Sequence, residues 1–266
     1  NYSSLSKDRS TTTVLQILMA GLESAMPQKQ LKKIITSKQI KFDKKIIQLK
    51  NYDSIYLVAL GKAADSMAKT VDSIIKIKQG CIVIPKGVTP VIKNPKFQIF
   101  KASHPLPDKN SVHAAKQILK FLNQRNKTDL VIFLVSGGTS SLLALPYGIT
   151  LNEKIKVTKK LLFSGATIQE LNCVRKHLSQ VKGGRLVEGM RCDAVSLVMS
   201  DVLGDDLSSI ASGTTYYDSS TFERALKIIK KYRLERKIPQ SALRHISLGV
   251  NGKIPETPKK SKIHHH

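Results

Sequence analysis

Aromatic residues, cysteines and long apolar runs are all scarce in this 266-residue sequence. No apolar run approaches the ~20 residues that a membrane-spanning helix needs, so we expect no membrane partner. The three cysteines form neither a CxxC pair nor a spacing typical of metal ligands, and no secretory signal is visible. These absences argue against a disulfide scaffold and favour a cytoplasmic protein with reduced thiols.

Acidic residues are also few: 44 lysines and arginines stand against 19 aspartates and glutamates, which gives a net charge of +25. This excess raises one hypothesis, a basic nucleic-acid-binding domain. Aromatic residues make up only 5% of the chain, however, so stacking surfaces for bases are few. The lysines are spread along predicted helix faces, as is typical of a solvated surface, at Lys154, Lys156, Lys159, Lys160, Lys227, Lys230 and Lys231. We therefore expect anionic small molecules, and no specific nucleic acid, as partners.

Strands and helices alternate along the chain. Apolar, β-branched segments predict strands at 54–60, 81–85, 97–102, 129–135 and 194–199. Apolar residues at helical spacing predict helices at 12–26, 61–75, 111–124, 151–163, 167–180 and 220–232. This alternation predicts an α/β fold, a Rossmann-like three-layer αβα sandwich with a mostly parallel sheet.

The most informative segment is SGGTSS at 136–141, which follows an apolar strand directly. Small residues leave backbone N–H groups unshielded, and in open parallel sheets ligands bind at the carboxyl ends of strands. The turn is therefore predicted to bind a phosphate or a carboxylate through Ser136, Gly137, Gly138, Ser140 and Ser141. The alternative is a tight connection without a ligand.

A second strand-to-helix turn contains Gly61 and Lys62. A lysine at that place adds its charge to the positive end of a helix and suits an anionic ligand. The turn is not a Walker A loop, because Ala63 stands where Ser or Thr is required, and Gly61 is its only glycine. The alternative for Lys62 is an ordinary surface lysine.

Further basic residues are grouped on one predicted helix. Asn172, Arg175 and Lys176 share a face through their i, i+3, i+4 spacing, and Lys182 and Gly183 follow in a flexible turn. These five are candidate ligands for the substrate or for a phosphate. The alternative is a solvated helix face.

Two aspartates, Asp201 and Asp205, follow the strand predicted at 194–199. Mg²⁺ sites in phosphoryl transfer use one or two carboxylates together with substrate phosphates, so both are candidate metal ligands. Asp201 lies nearest the end of the strand and is the stronger candidate. The alternative for Asp205 and Asp206 is capping of a following helix.

Two other chemistries were weighed. His104 could serve as a general base, but it stands beside prolines and could equally be a structural loop residue. Serine hydrolysis is set aside because no GxSxG sequence is present.

Several segments together resemble one known family. They are LGKAADSMA at 60–68, SHPLPD at 103–108, SGGTSS at 136–141, the long run from SGATIQELNCVRKHLS at 164–179 to KGGRL at 182–186, and SDVLGDDLSSIASGTT at 200–215. In this order they resemble the amino-terminal domain of the glycerate 2-kinases that carry a MOFRL carboxy-terminal domain. Some members of that family have been labelled hydroxypyruvate reductases.

The resemblance implies phosphorylation of glycerate on its 2-hydroxyl to 2-phosphoglycerate, with ATP and Mg²⁺ as cofactors. Lys62 matches the lysine proposed to act in the family's active site, and Asp201 is the second catalytic candidate. An NAD(P)H-dependent hydroxypyruvate reductase is the alternative, but no GxGxxG follows any predicted strand. Three residues depart from the family pattern: Thr139 stands in place of glycine and would narrow the anion-binding turn, and Leu203 and Thr214 stand in place of proline.

The domain organisation is also an expectation at this point. Residues 1–250 are predicted to form the amino-terminal kinase domain, 251–263 a shortened linker and 264–266 the remnant of a histidine tag. The MOFRL domain lies outside these residues, so we expect this fragment alone to have little activity. The sequence leaves the oligomeric state open, a homodimer included.

Overall fold

The structure, a computed structural model, describes residues 2–42, 45–200, 202, 204–260 and 263–265. Its helices are α1 (Tyr2–Leu5), α2 (Arg9–Ser24), α3 (Pro27–Ile34), α4 (Ala64–Asp72), α5 (Lys109–Asn123), α6 (Thr139–Leu142), α7 (Leu151–Phe163), α8 (Ile168–His177), α9 (Arg185–Glu188), α10 (Phe222–Lys231) and α11 (Gln240–Val250). Its strands are β1 (Gln39–Phe42), β2 (Lys45–Gln48), β3 (Ser54–Leu60), β4 (Gln79–Pro85), β5 (Phe97–Ala102), β6 (Asp129–Val135), β7 (Asp193–Val198) and β8 (His264–His265).

The centre of the fold is a six-stranded sheet in the order β5-β4-β3-β6-β7-β8. Every neighbouring pair in it is parallel, which confirms the α/β prediction. Parallel strands that are covered on both faces are apolar throughout, and β6 is buried at every position. Strands β1 and β2 form a separate antiparallel hairpin.

Helices cover both faces of the sheet. On one face, Met67 and Val71 of α4 pack with Leu57 and Ile132 of the sheet. On the other face, the buried side chains of α5 pack with a second set of strand residues, which includes Phe133. These two clusters are the core of the three-layer arrangement.

A third apolar cluster lies among α7, α8, α10 and α11, and its members include Val157, Val174, Phe222 and Ile246. The sequence predicted the first three of these helices but missed α11, whose apolar pattern is interrupted by His245 and Gly249. In the structure, both residues are buried against neighbouring helices.

Side chains that cap the backbone N–H groups set where several helices begin. Asp108, Thr150 and Thr167 each form a capping box, with Ser111, Glu153 and Glu170 respectively. The box at Thr167 fixes the start of α8, and therefore the direction in which Asn172 and Arg175 project.

Helix α2 confirms the predicted helical period but buries none of its residues. Val14, Ile17 and Leu18 are all more than half exposed. No helix among the described residues is long and apolar enough to cross a membrane.

The last described residues, His264 and His265, pair with Val195 and Ser196 of β7. The assignment of 264–266 to a tag stays a prediction, because a strand pairing says nothing about the origin of these residues.

The contact between α10 and α11 leads to a first prediction. A Cβ on Gly249 would lie 2.3 Å from Cγ of Phe222, which is fully buried. Overpacking of a core costs about 1–3 kcal/mol, so Gly249→Ala should lower the free energy of unfolding by about 2 kcal/mol in urea titrations. The matched control is Gly21→Ala in α2, where nothing lies within 4 Å of the added Cβ. This control should raise stability by roughly 0.5–1 kcal/mol. Equal effects of the two substitutions would contradict the packing seen here.

Candidate active site

Two loops that follow adjacent parallel strands interlock at the carboxyl edge of the sheet. The N–H of Lys62 donates to the carbonyl of Gly137 at 2.9 Å, and the N–H of Ala63 donates to Oγ of Ser136 at 3.1 Å. Gly61 has a φ of +117°, and a Cβ there would lie 2.3 Å from Oγ of Ser136. Only glycine fits at this position, so the role shown for Gly61 and Ser136 is to hold the two turns together.

Next along the second turn, the backbone N–H groups of Gly137, Gly138, Thr139 and Ser140 have no hydrogen-bond acceptor among the described residues. Free N–H groups in a row of this kind are typical of anion-binding turns. Thr139 does not narrow the turn, contrary to the expectation from sequence, because its side chain is fully buried and its hydroxyl donates to the carbonyl of Ser136.

Lys62, Gly138 and His104 meet at the mouth of these turns. A Cβ on Gly138 would lie 3.2 Å from Cγ of Lys62 and 3.3 Å from Cδ2 of His104. Lys62 is exposed, and no carboxylate of a described residue pairs with its ammonium. Partial burial, and secondly the charge of Lys62, lower the pKa of His104 below its ordinary 6.5. His104 is therefore a neutral imidazole at neutral pH and can accept a proton.

A chain of side-chain hydrogen bonds leads from this turn to α8. Oγ of Ser140 lies 2.8 Å from Oγ of Ser212, which donates to Oδ1 of Asn172 at 3.1 Å. Nη1 of Arg175 donates to the same oxygen at 3.4 Å. The structure thus brings Ser140 next to Asn172 and Arg175, three residues that the sequence proposed separately as ligands, and adds Ser212.

Two buried lysines lie behind Arg175. Nζ of Lys154 donates to the carbonyls of Arg175 and Leu178 at 3.1 and 2.6 Å. Nζ of Lys182 donates to the carbonyl of Ser140 at 2.8 Å. Both lysines are at most 4% exposed, and neither pairs with a carboxylate among the described residues.

Burial, and secondly the charge of Arg175, lower the pKa of both Lys154 and Lys182. Burial also lowers the pKa of Arg175 to about 10, so its guanidinium stays charged at neutral pH. The charge of Arg175 is therefore not neutralised by any carboxylate of a described residue.

Two other predicted ligands serve the structure instead. Nζ of Lys176 lies 3.2 Å from Oδ1 of Asp218, and both side chains are buried. The N–H of Gly183 donates to the carbonyl of Ser212, and a Cβ on Gly183 would lie 3.1 Å from Cβ of Asp218. The N–H of Gly183 is occupied in this conformation, whereas the ammonium of Lys176 has donors beyond the one bonded to Asp218, and its assignment as a ligand stays a prediction.

The predicted metal ligands are only partly described. Asp201 and Leu203 lie outside the described residues. Asp205 is exposed, with a φ of +50°. The carboxylate of Asp206 accepts hydrogen bonds from Ser208 and Ser209 within a turn, but the short helix that follows at Ile210–Ser212 has no side-chain cap. Within the described parts of the chain, no group of three or more His, Cys, Asp or Glu residues could hold a metal ion.

Comparison with known proteins establishes the family. The family described as "Domain of unknown function (DUF4147)" matches residues 13–247. The chain belongs to the DUF4147 family. Its relatives also confirm the resemblance to glycerate 2-kinases that the motifs indicated.

A glycerate 2-kinase of Pyrococcus horikoshii is 38% identical over 250 residues, which cover 92% of this chain and 56% of the relative. The crystal structure of a glycerate kinase from Thermotoga maritima superposes with a TM-score of 0.81 at 40% identity and covers 95% of this chain and 57% of that one. A protein of Agrobacterium vitis named putative hydroxypyruvate reductase is 43% identical over 67% of this chain and 47% of its own. The chain thus spans little more than half the length of the first two relatives, and less than half of the third.

Sequence reasoning missed three residues of the DUF4147 site: Lys154, Ser212 and Asp218. Lys154 was grouped with solvated surface lysines, although it lies three and seven residues before Val157 and Leu161, which are buried on the same helix. That i, i+3, i+7 spacing places Lys154 on the buried face of α7 and was a usable signal. Ser212 and Asp218 carry no local signal, because their partners come from distant parts of the chain. Thr214, where proline was expected, is buried and donates its hydroxyl to the carbonyl of Ala211.

The buried pair of Lys176 and Asp218 leads to a prediction of stability. Burial alone would raise the pKa of Asp218, but Lys176 and hydrogen bonds from Ser220 outweigh it, so the pKa lies below its ordinary 3.8. Asp218→Asn keeps the shape of the side chain but leaves Lys176 buried without a counter-charge. Breaking a buried pair in this way costs about 3–5 kcal/mol.

We expect Asp218→Asn to lower the free energy of unfolding by about 3 kcal/mol at neutral pH in urea titrations. A group with a depressed pKa contributes its stability above the pKa of the unfolded chain and loses it as the pH falls through the folded value. The difference from the parent should therefore persist down to about pH 4 and shrink below it. Asp205→Asn, which changes an exposed carboxylate, is the control and should change stability by no more than a few tenths of a kcal/mol. A stable Asp218→Asn protein would show that the pair contributes little.

Proposed function

We propose that this chain provides the Lys62 half of the active site of an ATP-dependent glycerate 2-kinase. The observation that carries this proposal is the place of Lys62, in a chain whose relatives are named glycerate kinases. Its exposed ammonium and the neighbouring N–H groups of Gly137 and Gly138 have no partner among the described residues. The chain spans little more than half of the first-named relatives, so the activity is proposed for the complete gene product.

Phosphoryl transfer requires little covalent chemistry from the protein; it depends on positioning and on stabilising negative charge. Lys62 and the N–H groups of the 136–141 turn are placed to bind the oxygens of the transferring phosphoryl group. Neutral His104, beside Lys62, is placed to accept the proton of the attacking 2-hydroxyl. Both roles are assigned from the geometry at the mouth of the two turns.

The proposal includes Mg²⁺ because the chain offers carboxylates that could bind it. Asp205 offers an exposed carboxylate on the loop after β7, and a divalent ion bound to nucleotide phosphates needs only one or two such ligands. Asp205, together with Asp201, would hold the ion, which would neutralise charge on the ATP phosphates.

The proposed reaction can be tested with the complete gene product. With glycerate and ATP, formation of ADP and of 2-phosphoglycerate should be stoichiometric in a coupled assay. Oxidation of NADH by hydroxypyruvate without ATP turnover would replace the kinase with the reductase. A complex with DNA or RNA that shows a sequence preference near physiological salt would instead support a nucleic-acid function for the +25 charge.

Lys62→Ala should reduce turnover of the complete gene product by ~10²-fold or more while the protein stays folded, because the substitution removes the charge next to the phosphoryl group. Lys62→Arg should restore little activity, since a planar guanidinium does not reproduce a compact ammonium. Lys69→Ala, which removes an exposed lysine from α4, is the matched control and should keep full turnover. Near-normal turnover of folded Lys62→Ala would show Lys62 to be a surface lysine.

The assignment of His104 as the general base predicts how kcat/KM depends on pH. A base must be neutral, so kcat/KM should fall as the pH drops through the pKa of His104, which lies below 6.5. His104→Gln should lower kcat by ~10²-fold or more and abolish this acid limb. Lys62→Ala should move the limb, and the NMR titration of His104, towards 6.5, because the neighbouring positive charge is gone. His113→Gln, at an exposed histidine of α5, should leave the profile unchanged; an acid limb that survives in His104→Gln assigns the base elsewhere.

A further inference from the structure

A small cleft lies between the loop after β5, the end of the 136–141 turn and the helices α7 and α8. It encloses about 40 Å³, and its lining includes Pro105, Pro107, Ser141, Ile155 and Arg175. We call it the Arg175 cleft. Sites for drug-sized ligands occupy about 300–1,000 Å³, so this cleft suits a group of a few atoms and is too small for a nucleoside triphosphate.

Arg175 is the charged group with free donors in this cleft. Its guanidinium makes one long hydrogen bond, to Asn172 at 3.4 Å, and pairs with no carboxylate among the described residues. None of its nitrogens is a buried donor without a partner, so the remaining N–H groups reach the open space of the cleft. A planar guanidinium with free donors matches a carboxylate, which it can bind through two parallel hydrogen bonds.

The two ends of the site differ in the donors that they offer. The Lys62 end has an exposed ammonium and a row of backbone N–H groups without an acceptor among the described residues, which suits the several oxygens of a phosphate. In the Arg175 cleft the hydroxyls of Ser140 and Ser141 are already bonded, to Ser212 and to the carbonyl of Pro105. One guanidinium with no further free donors suits a monoanion with two oxygens.

The buried lysines hold this end of the site from behind. Lys154 bonds to the carbonyl of Arg175 itself, and Lys182 bonds to the carbonyl of Ser140 on the opposite wall. Both lysine side chains donate to backbone carbonyls, so they fix the walls of the cleft. They act as positioning residues.

We propose that the Arg175 cleft binds the carboxylate of the hydroxy-acid substrate, with the Arg175 guanidinium as its ligand and with Lys154 and Lys182 as positioning residues. The inference rests on the proposed kinase function and assigns the two ends of its site. The carboxylate lies at Arg175, the adjacent hydroxyl points along the 136–141 turn towards Lys62 and His104, and the ATP phosphates lie at the Lys62 end. Selectivity for 2-hydroxy acids over neutral polyols follows from the unneutralised charge.

Steady-state kinetics of the complete gene product test this assignment through the two Michaelis constants. Arg175→Lys keeps the charge but loses the planar fork, and a hydrogen bond to a charged group is worth about 1.5–3 kcal/mol. The KM for glycerate should therefore rise ~10- to 100-fold, while the KM for ATP stays within about twofold. Lys154→Met should also raise the KM for glycerate with little change in kcat, and Lys154→Arg should restore part of it. Lys159→Met, at an exposed position of α7, is the matched control and should change neither constant.

A rise in the KM for ATP with an unchanged KM for glycerate would overturn the assignment and leave the kinase function intact. Conversely, glycerate binding that depends on Arg175 in calorimetry, in a protein that does not phosphorylate glycerate, would keep the carboxylate site and reject the proposed function.

A further measurement needs no variant and decides the question even if the variants do not fold. Lactate and glycolate should inhibit competitively against glycerate and not against ATP, glycerol should not inhibit, and inorganic phosphate should compete with ATP. Competition of lactate with ATP would overturn the inference.

Discussion

The close approach of Gly61 to Ser136 is the contact on which the rest of the site depends. Strands β3 and β6 are parallel neighbours that end at the same level, with Leu60 opposite Val135. Two turns of similar length therefore leave the sheet side by side, and they interlock only because Gly61 has no Cβ. This interlock directs Lys62 and the free N–H groups of the 136–141 turn to one place, and it aligns the start of α4 with the mouth of the site.

The structure shows where the positive charges of the protein lie, which the composition does not. Most lysines are on the surface, but Lys154, Lys176 and Lys182 are buried around the site. Lys176 has a carboxylate partner, whereas the partners of Lys154 and Lys182 among the described residues are backbone carbonyls. Desolvation makes such groups expensive to bury, and a positive region of this kind is favourable chiefly when an anion binds beside it. The buried charge thus favours a small anionic ligand for this domain, whereas the net charge by itself is equally compatible with a polyanion.

Prediction from sequence succeeded where the determining interactions are local. Strands β3, β5 and β6 have the predicted limits. In β3 and β6 the reason is a continuous apolar, β-branched segment that ends abruptly at a glycine or a polar residue. The starts of α7 and α8 follow from Thr150 and Thr167, whose capping boxes lie within four residues. Helix α11 was missed because its burial depends on Phe222 of another helix, against which Gly249 packs.

The sequence by itself determined most strands of the central sheet and their covering helices, the parallel α/β class, the family and the two turns that carry Lys62 and SGGTSS. Each of these follows from residues within one strand, one turn or one motif. Only the tertiary structure decided that Lys176 is paired with Asp218, 42 residues away, and that Lys154 is buried beside Arg175. It also left Val14, Ile17 and Leu18 of α2 more than half exposed. Such outcomes depend on contacts between distant segments, which the sequence does not specify locally.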